Sequence, residues 1–163
     1  MKEKRFKKIL QIGIIVRNRD ETIRIYEDEF GIGPWDKVDF GEKLFPKLLV
    51  NEKAGKIDMK IGFCNAFDNV ELEIIEPVSE SVFMDYLREH GQGIHHVAMG
   101  IRNDSKEFHD IIDGQKKEGN PPWLWLKEDN GLDRVGMEAS FIDLREKLGM
   151  IIEIYNEDTP HKG

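Results

Sequence analysis

The 163 residues are enough to bury a sizeable core in one domain or two closely packed repeats, and too few for two independent domains. A net charge of −8 argues against broad binding to nucleic acid or to an anionic membrane surface, both of which need a basic face. With 34% charged residues, no stretch long and apolar enough to span a membrane, and a single cysteine, Cys64, that excludes an intrachain disulfide, the chain reads as a soluble protein of the reducing cytoplasm.

Lys2, Lys4, Arg5, Lys7 and Lys8 precede an apolar run and superficially resemble a secretory leader. Gln11 interrupts that run, charged residues follow it and no small-residue cleavage site appears, so the segment reads as a solvated tail entering a strand. Residues 11–16, rich in Ile and Val, predict that strand. Asp20 then offers a helix N-cap, and Ile23, Tyr26 and Phe30 recur at helical spacing before Gly31 supplies a stop. Residues 35–40 and 47–50 predict two strands on either side of a turn or flap. Alternation of Ile57, Met59, Ile61 and Phe63 with polar or small residues predicts a half-buried strand, and 70–76 predicts another, ended by Pro77. The first half is thus β-α-β-β-β with an excursion between helix and sheet.

Residues 79–90 predict a connecting helix with Phe83, Tyr86 and Leu87 on one side. The order then repeats. Residues 95–101 predict a strand, followed by a helix capped by Asp104 or Ser105 that carries Phe108, Ile111 and Ile112, ends by Gly119 and is weakened at Gly114. Strands at 123–126, 136–142 and 150–155 complete the second half. The expected organisation is a first βαβββ module at 1–78, a connecting helix at 79–92, a second module at 93–156 and a frayed tail at 157–163.

Two sequence correspondences support that division. Gln11-Ile-Gly-Ile-Ile-Val-Arg-Asn near the start is echoed by His96-Val-Ala-Met-Gly-Ile-Arg-Asn, so Gln11 and His96 hold equivalent places. Leu72-Glu73-Ile74 is likewise echoed by Ile152-Glu153-Ile154. All four polar residues stand in otherwise apolar strands, where a carboxylate is costly to bury unless its charge is compensated. Taken singly, each glutamate reads as a solvent-facing strand residue and the histidine as a satisfied core residue. Taken together in repeat-equivalent places, they read as a set that converges on one cation.

Over residues 9–156 the chain resembles the vicinal oxygen chelate superfamily, on Gln11-Ile-Gly-Ile-Ile-Val, the helix ending Glu29-Phe-Gly, Leu72-Glu-Ile-Ile-Glu-Pro, Gly93-Ile-His-His-Val-Ala and Ile151-Ile-Glu-Ile. The resemblance implies an α+β fold in which two paired βαβββ modules form curled sheets around a metal-binding cavity. Matched position by position, the implied ligands are Gln11, Glu73, His96 and Glu153. His96 is preferred to its neighbour His95 because it aligns with Gln11 and adjacent strand residues face opposite ways. One imidazole nitrogen and three oxygens suit Ni²⁺, Co²⁺, Mn²⁺, Mg²⁺ or Zn²⁺.

The Gln/Glu/His/Glu set is similar to that of glyoxalase I, while Glu-Pro, a helix and then Gly-Ile-His-His resembles methylmalonyl-CoA epimerase. Both resemblances imply removal of a proton next to a carbonyl, with Glu153 as base; an epimerase also needs a second acid/base group on the opposite face, for which Glu52 is the first choice and Glu42 the alternative. Ile15 and Pro77 stand where glyoxalase I places glutathione-contacting Arg and Asn. The expectation is therefore an epimerase-like isomerase or lyase that takes a small carbonyl or acyl-thioester substrate and works as a homodimer. A glyoxalase I-like lactoylglutathione lyase comes next, and a non-catalytic drug-binding protein of the same fold is the third reading.

Overall fold

The computed structural model describes residues 4–41, 47–101, 105–127 and 138–156. Strand β1 (Phe6–Ile15) hands over to helix α1 (Arg19–Phe30) through Asn18, whose extended backbone aims its side-chain oxygen at the Glu21 N–H, 3.0 Å away. The cap is Asn18 and not Asp20. Asp20 lies one residue into the helix, near its positive end, and pairs with Arg19 and Lys37. Gly31 closes the helix at φ 64°, a left-handed conformation that suits glycine, and returns its N–H to the Glu27 carbonyl.

Strands β2 (Asp36–Phe40), β3 (Leu48–Val50), β4 (Lys53–Ala54), β5 (Met59–Phe67) and β6 (Val70–Pro77) complete the first half. Helix α2 (Val82–His90), capped by the Ser81 hydroxyl, leads into β7 (Gly93–Ile101) and α3 (Ser105–Lys117). Helix α3 runs straight through Gly114; of its two expected caps, Ser105 is the first residue of the helix and Asp104 lies outside the described residues. Then come β8 (Leu124–Leu126), β9 (Ala139–Leu144), the single-turn helix α4 (Arg145–Leu148) and β10 (Met150–Tyr155). The predicted start of β9 at Gly136 also falls outside the described residues, and α4, with only four residues, is too short to leave a periodic signal.

Among the described residues the strands form one sheet in the order β2-β5-β6-β1-β7-β10-β9-β8-β3-β4. From the central antiparallel pair, β1 and β7, each half runs outward in the same sequence of partners: last strand, third strand, second strand. Across that pair Gln11 lies opposite Ala98, Ile12 opposite Val97 and Gly13 opposite His96. Exchanging the halves maps this register onto itself, so Gln11 and His96 are equivalent in space as well as in sequence. Both strands also carry a bulge at the equivalent place, Leu10 in β1 and His95 in β7.

The excursion takes a course that local pattern does not reveal. Strand β2 pairs with β5, while β3 crosses to the opposite edge and pairs with β8, Leu48 against Leu126 and Val50 against Leu124. Residues of the first half thereby cover an edge of the second that would otherwise be left open. Phe40 from one end of the sheet and Leu124 and Leu126 from the other line one cavity, so the sheet curls round on itself without closing.

Alternation along the strands sorts side chains between its two faces. Leu72 and Ile74 of β6 pack outward under α1 with Ile23 and Cys64, and Ile152 and Ile154 of β10 pack outward under α3 with Phe108 and Ile112. The intervening Ile75, Ile151 and Tyr155 join Ile15, Ile61, Phe83, Ala98 and Phe141 in the core inside the curl. No helix among the described residues is long and apolar enough to cross a membrane.

Candidate functional site

The same alternation turns Gln11, Glu71, Glu73 and Glu153 towards the interior, where burial of so many polar groups demands partners. Three of them meet at one atom. His96 Nε2 has Gln11 Oε1 at 3.2 Å, Glu73 Oε2 at 3.3 Å and Glu153 Oε2 at 3.1 Å. His96 is completely buried, Gln11 is 1% exposed, and both glutamates are buried. Opposite the ring is Gly13, where any Cβ would overlap the imidazole; the strand pair has a gap in its side chains just where His96 needs it.

Burial alone would depress the His96 pKa, but the charges and hydrogen-bonding capacity of Glu153 and Glu73 overcome it and raise the imidazole to about 9. His96 is therefore an imidazolium at neutral pH, with two carboxylates closed on its Nε2. Among the described residues no three His, Cys, Asp or Glu side chains already stand in the arrangement of a bound ion. Two observations nevertheless fit this donor set to a divalent cation. Oxygens 3.1–3.3 Å from Nε2 have the spacing of neighbouring donors around a common ion, about 3 Å for bonds of about 2.1 Å. Glu153 Oε2, though fully buried, makes no well-directed hydrogen bond and has only its charge contact with His96 Nε2.

His95 does not face away from His96, as strict alternation along the strand would have it. As the extra residue of the β7 bulge it also turns inward, only 3% exposed, and its Nδ1 lies 3.0 Å from Nδ1 of His96. Its ring sits among Phe83, Tyr86 and Trp123, with centroids 5.1, 4.5 and 5.1 Å away. Burial first, and then the charge on His96, holds His95 well below its ordinary pKa, so it is neutral. A neutral His95 accepts the Nδ1–H of His96, which fixes the His96 ring and leaves Nε2 as the atom offered to the three oxygens.

Two interior residues were not singled out from sequence. Glu71 accepts a hydrogen bond from Gln11 Nε2 at 2.6 Å, and burial raises its carboxyl to about 7, with the Gln11 hydrogen bond opposing that shift and the Glu73 charge adding to it. Tyr155 is hydrogen-bonded to Glu153; burial and then the charges of Glu153 and Glu73 hold the phenol well above its usual value, so it is a donor. The signal for both was available: each lies two residues from a named glutamate, hence on the same face of the same strand.

Glu73, Glu153 and Tyr155 form the polar end of a cavity of about 70 Å³ whose other walls include Ile57, Met59, Phe83 and Phe141. Larger surface depressions lie elsewhere, but they open to solvent and contain none of the converging residues. Glu52 is not brought to this cluster. It lies in the turn between β3 and β4 at φ 65°, its side chain 51% exposed and paired with Lys116 of α3 at 2.8 Å. Glu42 lies outside the described residues.

Residues 10–113 match the family model described as the glyoxalase/bleomycin resistance protein/dioxygenase superfamily. No curated protein matches the chain. Among solved structures, a hypothetical protein from Bacillus halodurans C-125 is similar at 22% identity and a TM-score of 0.58, over 96% of this chain and 98% of that one. A variant of Streptomyces coelicolor methylmalonyl-CoA epimerase in complex with 2-nitronate-propionyl-CoA gives 20% identity and a TM-score of 0.60, over 97% and 99%. The epimerase from Mycobacterium tuberculosis gives 18% and 0.58, over 98% and 93%. At these identities the likeness is one of fold.

Proposed function

From the premise that this chain belongs to the glyoxalase/bleomycin resistance protein/dioxygenase superfamily, we propose that it is a metal-dependent isomerase or lyase that moves a proton on the carbon next to a carbonyl or thioester. The observation that carries this reading is the convergence of three oxygens on the buried Nε2 of His96, at the polar end of an apolar cavity. Gln11, Glu73, His96 and Glu153 would hold a divalent ion: Ni²⁺, Co²⁺, Mn²⁺, Mg²⁺ or Zn²⁺. When bound, the ion polarises a carbonyl oxygen and offsets the negative charge that develops as the neighbouring carbon loses its proton.

The protein's own groups do the rest. Glu153 lines the cavity, which places its carboxylate to accept that proton. Tyr155, held protonated, steadies the Glu153 carboxylate through its hydrogen bond. Ile57, Met59 and Phe141 keep the reacting end of the substrate away from water. The small apolar chamber suits a short acyl group, in keeping with an acyl-thioester substrate; the epimerase of similar fold was solved with a propionyl-CoA analogue. A buried, free Cys64 is in keeping with a reducing compartment.

The test is exchange of the α-proton of a 2-methyl-branched acyl thioester in deuterated water, followed by NMR, with each of the five ions supplied in turn. Wild-type protein should take up about one ion per chain and exchange the proton. Glu153→Gln should slow exchange by about 10²-fold or more, and Glu73→Ala/Glu153→Ala should no longer retain the ion. Absence of bound metal and of exchange with every ion would overturn the proposal. Inversion at the α-carbon, against turnover of a hemithioacetal, separates epimerase from lyase.

A further inference from the structure

We infer that Glu71 is a positioning residue that acts through Gln11, holding the Gln11 amide so that its oxygen and not its nitrogen faces the point where His96, Glu73 and Glu153 meet. The inference rests on the proposed metal site and goes beyond it by assigning a role to a carboxylate outside the donor set.

A glutamine is an ambiguous ligand. Its two amide ends are nearly alike in shape, and only the oxygen has a lone pair to offer a cation, so the orientation must be chosen by whatever touches the other end. Here that partner is Glu71. Gln11 Nε2 donates to Glu71 Oε1 at 2.6 Å, while Gln11 Oε1 points at His96 Nε2 at 3.2 Å. With Glu71 ionised, reversing the amide would press its oxygen against a carboxylate oxygen at the distance now occupied by the hydrogen bond, with both residues buried. Glu71 is itself tied down by a hydrogen bond with Asn65 and by its backbone register, since it is the β6 partner of Gln11 on β1.

The internal repeat supplies a comparison within the same molecule. The place equivalent to Gln11 in the second half is His96, and the residue paired with His96 as Glu71 is paired with Gln11 is Ile151. Ile151 is buried and apolar. A histidine has no amide to orient, and His95 already fixes its ring, so the second half needs no carboxylate there. Glu71 occurs beside the one ligand whose orientation is otherwise open. Second-layer partners of this kind commonly alter metal affinity by about 10–100-fold when removed.

The experiment measures Mn²⁺ and Co²⁺ affinity by competition against a chelator, together with the Co²⁺ absorption spectrum, for wild type, Glu71→Gln, Glu71→Ile, Gln11→Ala and the double variant Gln11→Ala/Glu71→Ile. Isoleucine copies the residue tolerated at the equivalent place; Glu71→Ala, which lacks the acceptor and adds no bulk, serves if that variant does not fold. Glu71→Gln retains an oxygen acceptor for Gln11 and should bind close to wild type with an unchanged spectrum. Glu71→Ile should bind about 10–100-fold more weakly with an altered Co²⁺ spectrum. In the Gln11→Ala background the Glu71 substitution should have no further effect, because nothing remains for it to orient. Wild-type affinity in Glu71→Ile overturns the inference, as does an equal loss with and without Gln11, which would mark a general effect of charge or packing. A wild-type chain that binds neither ion removes the proposed function itself, and this inference with it.

Discussion

Gly13 lies directly opposite His96 in the central strand pair, and the imidazole occupies the volume that any side chain at 13 would need. The equivalent pair is Ala98 opposite Gln11, where a methyl group is tolerated because the longer, thinner glutamine can pass it. Gly13→Ala is therefore predicted to push the His96 ring out of line rather than merely stiffen β1. Overpacking of this kind costs about 1–3 kcal/mol, readable in urea denaturation. Loss of divalent-metal retention should accompany it, whereas an added methyl that left both stability and metal uptake unchanged would show that the ring has room to move.

His95→Phe tests the contact behind the ligand. The aromatic enclosure of Phe83, Tyr86 and Trp123 accepts a phenyl ring, and the substitution removes His95 Nε2, which is buried without a partner. Stability should change little, because removing the orphaned Nε2 offsets the acceptor lost to His96 Nδ1–H. Metal affinity should nevertheless fall by about 10–100-fold, because His96 Nδ1–H loses its acceptor and the ring its fixed orientation. Calorimetric melting and metal titration of the same sample separate the two effects; equal affinity in variant and wild type would confine His95 to packing.

Much of the interior was legible because the same information occurs twice. Repeat-equivalent polar residues in apolar strands, read with the alternation of a pleated sheet, led to Gln11, Glu73, His96 and Glu153, and the structure brings all four together. Glu71 and Tyr155 were readable by the same rule, two residues along, but neither has a polar equivalent: the corresponding residues are Ile151 and Ile75. Orientation of His95 was not readable, since a bulge breaks the alternation and no residue type announces this one. The crossing of β3 to β8 was equally hidden, because a three-residue strand specifies that it wants an edge and not which edge. Asn18 as the cap of α1 was missed although Asn18 followed by Glu21 carries the usual spacing for it.

The position of Glu52 yields a prediction of no effect. Half exposed and paired with Lys116 on the outside of the sheet, it is a surface ion pair, the kind worth about 0–1 kcal/mol. Glu52→Ala should therefore shift the melting temperature little and leave α-proton exchange at the wild-type rate. A large fall in exchange with unchanged folding would instead restore Glu52 as the second acid/base group and require the β3–β4 turn to reach the cavity during turnover.

Stability of the metal-free protein should depend on pH in a direction set by His96 and Glu71. His96 is raised from 6.5 to about 9 in the folded state, so its protonation stabilises the fold fully below 6.5, and that contribution is lost as pH rises through about 9. Glu71 is raised from 4.5 to about 7, so ionising it disfavours the fold progressively between those values. The two act in the same sense; His95, held well below its ordinary 6.5, opposes them below that pH because its protonation favours the unfolded chain, so the denaturation midpoint in EDTA should fall from pH 7 to pH 9. Asp20 and Asp143, held low first by their ion-pair hydrogen bonds, contribute the opposite slope, but only where carboxylates titrate in the acid range. Added Mn²⁺ or Ni²⁺ should reverse the trend above neutrality, because an ion at His96 Nε2 replaces the proton and its binding strengthens as that proton is lost. Parallel denaturation series with metal and with EDTA should therefore diverge as pH rises. Curves that stay parallel would mean that no ion competes with the proton on His96.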